Sequence, residues 1–239
     1  MPIQSIEPRR LYRQIADQLR ALIRAGEFPV GSRLPTEREL AAQLGGSRPS
    51  VREALIALEV ERLVEVRVGS GIYVLPREAA VAAPRVDTAF GPFEIIRARQ
   101  VVECELAAIG ARTMNAAQID GLREAVAMMQ RDFERKASPI QGDRLFHLRI
   151  AEAADNAPLL HVVTDLFDER HNPLFEQLGQ HFEGEHSWLA AVVEHNAVIA
   201  AIAAHDPRRA RAAMQRHLQN SHDRFARAWS HPAEAEPAH

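Results

Sequence analysis

The residues best suited to chemistry in this 239-residue chain are its histidines and the acidic residues near them. All 11 histidines lie at or after His147, so a site that uses imidazole belongs to the later part of the chain. Asp143 and His147 are four residues apart, a spacing that places both side chains on one face of a helix. A carboxylate oxygen and an imidazole nitrogen presented together can bind a metal ion.

Two further histidines are placed about evenly around the turn at His205 and Asp206. His195 lies ten residues before His205 and His217 lies eleven after Asp206, so an antiparallel helix hairpin brings both to about the same height. If the helix of Asp143 packs against this hairpin, three imidazoles and one carboxylate meet. Such a set suits Zn²⁺, Ni²⁺, Mn²⁺ or Fe²⁺ without choosing among them.

The alternative to a metal site is that these spacings arise by chance, because the segment is rich in histidine. A histidine on a helix is more often a surface or core residue than a metal ligand. We expect that ordinary role for the other histidines of the helical region, which are His161, His171, His181, His186, His205 and His222.

The composition excludes several classes of protein. With 46% hydrophobic and 26% charged residues, the chain is expected to be globular and soluble. Cys104 is the single cysteine, which excludes a disulfide framework and a cysteine-rich zinc module. No stretch approaches the roughly 20 apolar residues of a membrane span, and the N-terminus has no signal-peptide core, so we expect a cytoplasmic protein without a membrane partner. No nucleotide-binding glycine motif or Ser/His/Asp constellation is present, and we do not expect an enzyme.

The net charge of −3 averages two unlike segments. Residues 1–77 hold 12 arginines and 9 acidic residues, a balance of +3, and the remainder has a balance of −6. This division predicts two domains with different roles. We expect a first domain over 1–76, a linker over 77–92, a second domain over 93–230 and a disordered tail over 231–239.

The first segment has the pattern of three helices. Apolar residues recur at helical spacing over residues 9–25, and Gly26 ends that helix. Thr36 and Glu39 form a capping box that opens a short helix. Ser47 then caps a third helix over 48–62. The predicted buried positions of the first and third helices are Leu11, Ile15, Leu19, Leu22, Ile23, Val51, Leu55 and Leu58.

The second and third helices predict a helix-turn-helix, whose later helix enters the major groove of DNA. Arg48 and Arg52 are four residues apart and are expected to face outward, where with Ser50 they suit guanine and phosphate contacts. A solvated helix face is the alternative. Two short β runs around Val68-Gly69-Ser70-Gly71 then predict a hairpin, so the domain is a winged helix.

At these motifs the chain resembles a known family. Residues 9–75, with the run GSRLPTERELA, the helix SRPSVREAL and the wing RVGSG, resemble the winged helix-turn-helix of the GntR family of bacterial transcription regulators. The resemblance implies contacts with double-stranded DNA from Arg33, Arg38, Arg48, Ser50, Arg52 and Gly69.

From Phe93 onward the pattern is helical throughout. Helices are predicted near 93–113, 116–137, 139–154, 157–181, 185–204 and 207–229. The predicted fold is therefore mainly α, with an N-terminal winged helix-turn-helix and a C-terminal all-α bundle of six or seven helices.

The second half also resembles part of a known family. The segments DRLFHLRIAEAADNAPLL and EHNAVIAAIAAHDPRRARAAMQRHL resemble the FadR-type ligand-binding (FCD) domain of the GntR family, over about 93–227. That resemblance implies a divalent metal, zinc first among the candidates, which helps to bind a small carboxylate effector. It places the metal ligands at Asp143, His147, His195 and His217.

The same resemblance implies the effector-binding residues. It puts Arg99 where an arginine often clamps an effector carboxylate, with Glu103 beside it and Arg170 as a further candidate. An Arg99–Glu103 surface ion pair is the alternative.

The segments EIIRARQVVECELAA and DERHNPLFEQL look most like regulators of sugar-acid catabolism, such as hexuronate repressors. We therefore expect a homodimeric repressor that binds a near-palindromic operator and responds to an organic acid. Two alternatives stay open, a metal-dependent enzyme that activates water and an acyl-CoA-responsive regulator that needs no metal.

Overall fold

The computed structural model describes residues 10–67, 69–76, 90–182 and 184–230. They form two compact units, one that spans Pro92–Arg227 and one made of the residues before and after it, and each is described by itself. The chain is mainly α, as predicted, with 76% of the described residues in helices. Within these described ranges, no helix combines the length and apolar character needed to cross a bilayer. Most of the predicted linker (77–89) and the whole predicted tail (231–239) lie outside the described residues.

The first unit has the predicted three helices and hairpin. Gly26, at φ +85°, ends the first helix in the left-handed region, and the predicted Thr36–Glu39 capping box opens the second. The Ser47 hydroxyl accepts a hydrogen bond from the Ser50 amide and so caps the third. The elements are α1 (Leu11–Ala25), α2 (Glu37–Leu44), α3 (Arg48–Val60), β1 (Val64–Arg67) and β2 (Gly71–Val74).

Helix α3 is the centre of this unit, and both α1 and α2 pack against it. Val51, Leu55 and Leu58 are fully buried, as predicted. Leu11 was predicted to join the buried face of α1 but is 45% exposed. That face is centred on Tyr12, Ile15, Ala16 and Leu19, which leaves Leu11 at its edge.

The hairpin after α3 pairs β1 and β2 antiparallel, with Val64 opposite Val74 and Arg67 opposite Gly71. Gly69 (φ +84°) lies at its tip, in a region of backbone space that glycine adopts without strain. The segment before α2 adds a short edge to the hairpin, because Arg33 forms an antiparallel bridge with Tyr73.

The second unit is an all-α bundle, as predicted. The predicted helix over 157–181 is interrupted by a turn of 3₁₀-helix at Glu169–His171. Asn172 is extended, and its side chain accepts a hydrogen bond from the Phe175 amide, which starts a new helix. The described helices are α4 (Pro92–Thr113), α5 (Ala116–Glu134), α6 (Ile140–Glu152), α7 (Ala157–Asp168), α8 (Pro173–Phe182), α9 (Glu185–Ala203) and α10 (Pro207–Ser230).

Helix α6 packs against α4, α5 and α7, so its side chains reach the interior of the bundle. Gly142 permits the close approach to α5, since a Cβ there would lie 2.6 Å from Cγ of Met129 and 2.8 Å from the carbonyl oxygen of Ala125. The next residue, Asp143, is buried, and so is His147 one turn later. The fold thus places two of the predicted ligands in the core.

Candidate metal and effector site

Three helices bring the four predicted ligands together. Asp143 and His147 come from α6, His195 from α9 and His217 from α10, and all four are buried. One potential ligand atom from each residue lies within 4.8 Å of the others. Metal–nitrogen and metal–oxygen bonds are about 2.0–2.2 Å long, so small shifts of the side chains let one ion bind all four atoms.

The distances within the cluster show polar atoms that face one another. Nε2 of His195 lies 3.2 Å from Nε2 of His217, and Oδ1 of Asp143 lies 3.4 Å from Nε2 of His195. Nε2 of His147 lies 3.7 Å from Oδ1 of Asp143 and has no hydrogen-bond partner among the described residues. A buried nitrogen without a partner is costly, and a metal ion that accepts its lone pair removes the cost.

Burial favours the neutral form of His195 and His217, which is the form that binds metal. Burial lowers the pKa of His195 well below its usual range, and the nearby His217 and His147 lower it further. Burial also lowers the pKa of His217, against the opposing effect of a hydrogen bond to Glu194.

Two of the histidines have a carboxylate behind the ring. Oε2 of Glu103 lies 2.5 Å from Nδ1 of His147. Nδ1 of His217 lies 2.8 Å from Oε2 of Glu194. A carboxylate at Nδ1 orients the ring so that Nε2 faces the cluster, as carboxylates do behind many metal-binding histidines. Glu194 was missed in the sequence, where the only signal is its position next to His195.

Three arginines line a cavity of about 30 Å³ beside this cluster. Each pairs either with Asp143 or with one of the two carboxylates behind the histidine rings. Arg99 donates from Nε to Glu103 over 2.6 Å, and Arg170 donates from Nη1 to Asp143 over 2.8 Å. Arg224, which the sequence reasoning missed, donates from Nη1 to Glu194 over 2.7 Å. Other lining residues include Ser187, Trp188 and Ser221.

Arg99 and Glu103 do not form a surface pair, so that alternative is wrong. Their side chains are 4% and 2% exposed, because α4 turns this face into the bundle. Burial raises the pKa of Glu103, but the charges of Arg99 and His147 outweigh it and bring the pKa to about 2. Glu103 therefore stays ionised beside Arg99, and Arg99 lines the cavity, where its guanidinium group can face an anion.

The residues predicted to contact DNA lie in different environments of the first unit. Arg33, Arg38 and Arg48 are exposed, and Ser50 is partly exposed. The prediction that Arg52 faces outward is wrong, since the residue is only 3% exposed. Helix α2 covers this face of α3, and Nη2 of Arg52 lies 2.7 Å from Oε2 of Glu37. Helical spacing shows which residues share a face of α3, but it does not show which neighbouring helix covers that face.

Two family descriptions match the chain. Residues 11–74 match the bacterial regulatory proteins of the gntR family, and residues 94–220 match the FCD domain. The chain belongs to the GntR family. It is a transcriptional regulator with a DNA-binding unit and an FCD unit, and not an enzyme.

Relatives of this regulator include proteins named as regulators of a regulon or an operon. It is 36% identical over 222 residues to the Exu regulon transcriptional regulator of Escherichia coli K12, a match that covers 90% of this chain and 84% of the relative. It is also 36% identical over 226 residues to the Uxu operon transcriptional regulator of the same organism, covering 90% and 87%.

Solved structures share the fold of this regulator. Escherichia coli McbR/YncC matches with a TM-score of 0.51 at 21% identity, over 92% of this chain and 99% of that one. Lar, described as controlling the Listeria monocytogenes agr system, matches with a TM-score of 0.52 at 16% identity, over 93% and 99%.

Proposed function

We propose that this regulator is a homodimeric repressor that binds a hexuronate-class sugar acid beside a divalent metal ion in its FCD unit. The observation that carries the proposal is the single cavity shared by His217, Asp143 and three arginines. A site that combines metal ligands with paired guanidinium groups is suited to an organic anion.

The metal would be held by Asp143, His147, His195 and His217, with Zn²⁺ the first candidate. Three neutral imidazoles and one carboxylate are a donor set that zinc accepts, and Ni²⁺, Mn²⁺ and Fe²⁺ accept it as well. When bound, the ion supplies a positive charge and a Lewis acid for an oxygen of the effector. Glu103 and Glu194 hold the rings of His147 and His217 in place.

The effector would meet the arginines of the cavity. Arg99 and Arg170 are suited to its carboxylate, and the hydroxyls of Ser187 and Ser221 are suited to the hydroxyls of a sugar acid. At about 30 Å³ the cavity is smaller than such a molecule, so binding must displace lining side chains. An effector can shift the protein between two conformations only if it binds one of them more tightly than the other.

The choice of effector class follows the relatives. The Exu regulon and Uxu operon regulators, at 36% identity across most of this chain, are the basis for proposing hexuronates. The charged and polar lining of the cavity disfavours the acyl-CoA alternative, because a fatty acyl chain requires an apolar pocket.

In the first unit, the exposed face of α2, α3 and the hairpin would contact the operator. Arg48 and Ser50 lie at the start of α3, the end that enters the major groove in helix-turn-helix proteins, Arg38 lies in the first turn of α2, and Gly69 lies at the tip of the wing. Two copies would read the two halves of a near-palindromic site.

The test is fluorescence anisotropy of the full chain on DNA from upstream of its own gene, against a shuffled fragment. We expect specific binding that D-glucuronate or D-galacturonate weakens at least tenfold and that the neutral sugar glucose leaves unchanged. Arg99→Met should retain DNA binding and lose the response. Specific binding that no hexuronate alters would refute the effector class, and no specific binding would refute the repressor.

A further inference from the structure

A single buried carboxylate holds two arginines of the recognition helix. Glu37 is the first residue of α2 and is 7% exposed. Its Oε1 accepts a hydrogen bond of 2.8 Å from Nε of Arg48, and its Oε2 accepts one of 2.8 Å from Nε of Arg52. Glu37 therefore bridges two residues that are one turn apart on α3.

The two arginines differ in exposure. The Arg52 side chain is 4% exposed, whereas that of Arg48 is 56% exposed. Arg52 is thus enclosed between α2 and α3, and Arg48 reaches the surface with Nε already engaged by Glu37. Because a guanidinium group is planar, a bond at Nε restricts the plane in which its terminal nitrogens lie.

A negative charge at this position weakens the attraction between the protein and the phosphates of DNA. That attraction supplies most of the affinity for DNA of any sequence. Bidentate reading of a guanine depends instead on the orientation of a guanidinium. A carboxylate that restrains two arginines on the groove-facing helix therefore favours sequence discrimination over general affinity.

We infer that Glu37 is a positioning residue for operator recognition, which fixes Arg48 for base reading and braces Arg52 beneath it without contacting DNA. The inference rests on the proposed reading of an operator by α3. It makes Glu37 a determinant of the ratio between specific and non-specific affinity.

The experiment compares full-length wild type, Glu37→Gln and Glu39→Gln on two DNA probes. One is the near-palindromic site that the wild type selects from random DNA, and the other is its shuffled sequence. Glu39→Gln is the matched control, because it removes the same charge two residues away and glutamine still completes the capping box with Thr36.

We expect Glu37→Gln to weaken binding to the selected site about tenfold, as for the loss of one well-oriented arginine contact. Binding to shuffled DNA should strengthen up to about twofold in both variants, because both remove one negative charge. Glu39→Gln should strengthen operator binding to the same small extent, so that its ratio of the two affinities equals that of the wild type. A purely structural role would instead lower affinity for both probes together.

Glu37→Asp covers the case in which Glu37→Gln fails to fold. It retains the charge but withdraws the carboxylate by one methylene, and should lower operator affinity while shuffled-DNA affinity stays unchanged. An unchanged ratio of the two affinities in the folded Glu37 variants overturns the inference, whether both affinities rise, fall or stay the same. If the wild type selects no site, the proposed operator binding fails first, and the inference falls with it.

Discussion

Nη1 of Arg170 donates a hydrogen bond of 2.8 Å to Oδ2 of Asp143, so an arginine of the proposed effector cavity holds the carboxylate of the candidate metal cluster. Burial raises the pKa of Asp143, but the charges of Arg170 and His147 outweigh it and lower the pKa. The carboxylate therefore stays ionised. An effector that engages Arg170 would act on the metal ligand through this bond.

Loss of Arg170 should weaken metal binding. In Arg170→Met, Asp143 loses its partner, and we expect Zn²⁺ affinity to fall about 10- to 100-fold, as for other groups that orient metal ligands. Competition with a chromophoric chelator measures this. Arg144→Met is the control, because Arg144 lies on the same helix and pairs with Asp168 at the surface. Equal affinity in the two variants would contradict the assignment.

The Glu194 carboxylate should matter to the metal as much as Arg170 does. Glu194→Ala removes the acceptor of Nδ1 of His217 and frees that ring to rotate. We expect a loss of Zn²⁺ affinity of about 10- to 100-fold with the helical circular dichroism retained. Glu105→Ala, which removes a 58%-exposed carboxylate from α4, should not change the affinity. A wild-type affinity in Glu194→Ala would show that the carboxylate does not support the site.

The close contact of Gly142 with α5 predicts that a larger side chain at this position destabilises the protein. Gly142→Ala places a methyl group against Met129 and Ala125 of α5, and overpacking of this kind costs about 1–3 kcal/mol. Alanine recovers up to about 1 kcal/mol through helix propensity, so the net change should be destabilising. Thermal unfolding of the metal-free protein measures it.

Gly121→Ala is the comparison for that change, because its nearest contacts are the Arg149 side chain at ordinary distances of 3.4 Å or more. This variant should be neutral or stabilising. A Gly142→Ala protein as stable as Gly121→Ala would mean that α6 does not need the close approach.

The first unit depends on a buried ion pair between α1 and the residue after α3. Arg20 donates from Nε and Nη2 to the two carboxylate oxygens of Glu61, over 2.8 and 2.7 Å. Arg20→Ala leaves Glu61 buried without its main partner, and should lower the free energy of unfolding by about 3–5 kcal/mol in urea denaturation.

A double variant distinguishes the cost of an unpaired buried charge from the cost of lost packing. Arg20→Met with Glu61→Leu should restore most of the stability, because an apolar pair of similar volume can replace a buried ion pair. Arg67→Ala, which removes an exposed pair with Glu65, should change stability by less than about 0.5 kcal/mol. If Arg20→Ala costs no more than Arg67→Ala, the buried pair does not stabilise this unit.

Much of the fold could be predicted from the sequence because it depends on interactions between residues that are close together in the chain. The capping box of Thr36 and the left-handed Gly26 depend on short-range chemistry, and the structure has both. The meeting of His195 and His217 follows from equal distances around one turn. The capping features need no knowledge of which helices pack together, and the histidine pair needs only the assumption that α9 and α10 form an antiparallel hairpin.

The features that the sequence did not predict depend on neighbours distant in the chain. Arg52 is covered by α2, and the Arg99–Glu103 pair is enclosed by the bundle, so a surface interpretation of each was wrong. Glu194 and Arg224 are separated by 30 residues and become partners only when α9 and α10 pack. Helical periodicity does not encode such pairings.

The most direct test of the account is the metal content of the full chain after exposure to excess Zn²⁺ and removal of the unbound ion. Elemental analysis should find about one equivalent per chain in the wild type, and much less in His217→Ala and Asp143→Ala. His161→Ala, which alters an exposed histidine outside the cluster, should keep the full equivalent. Less than about half an equivalent in the wild type, or equal content in His217→Ala, would contradict a metal-based effector site.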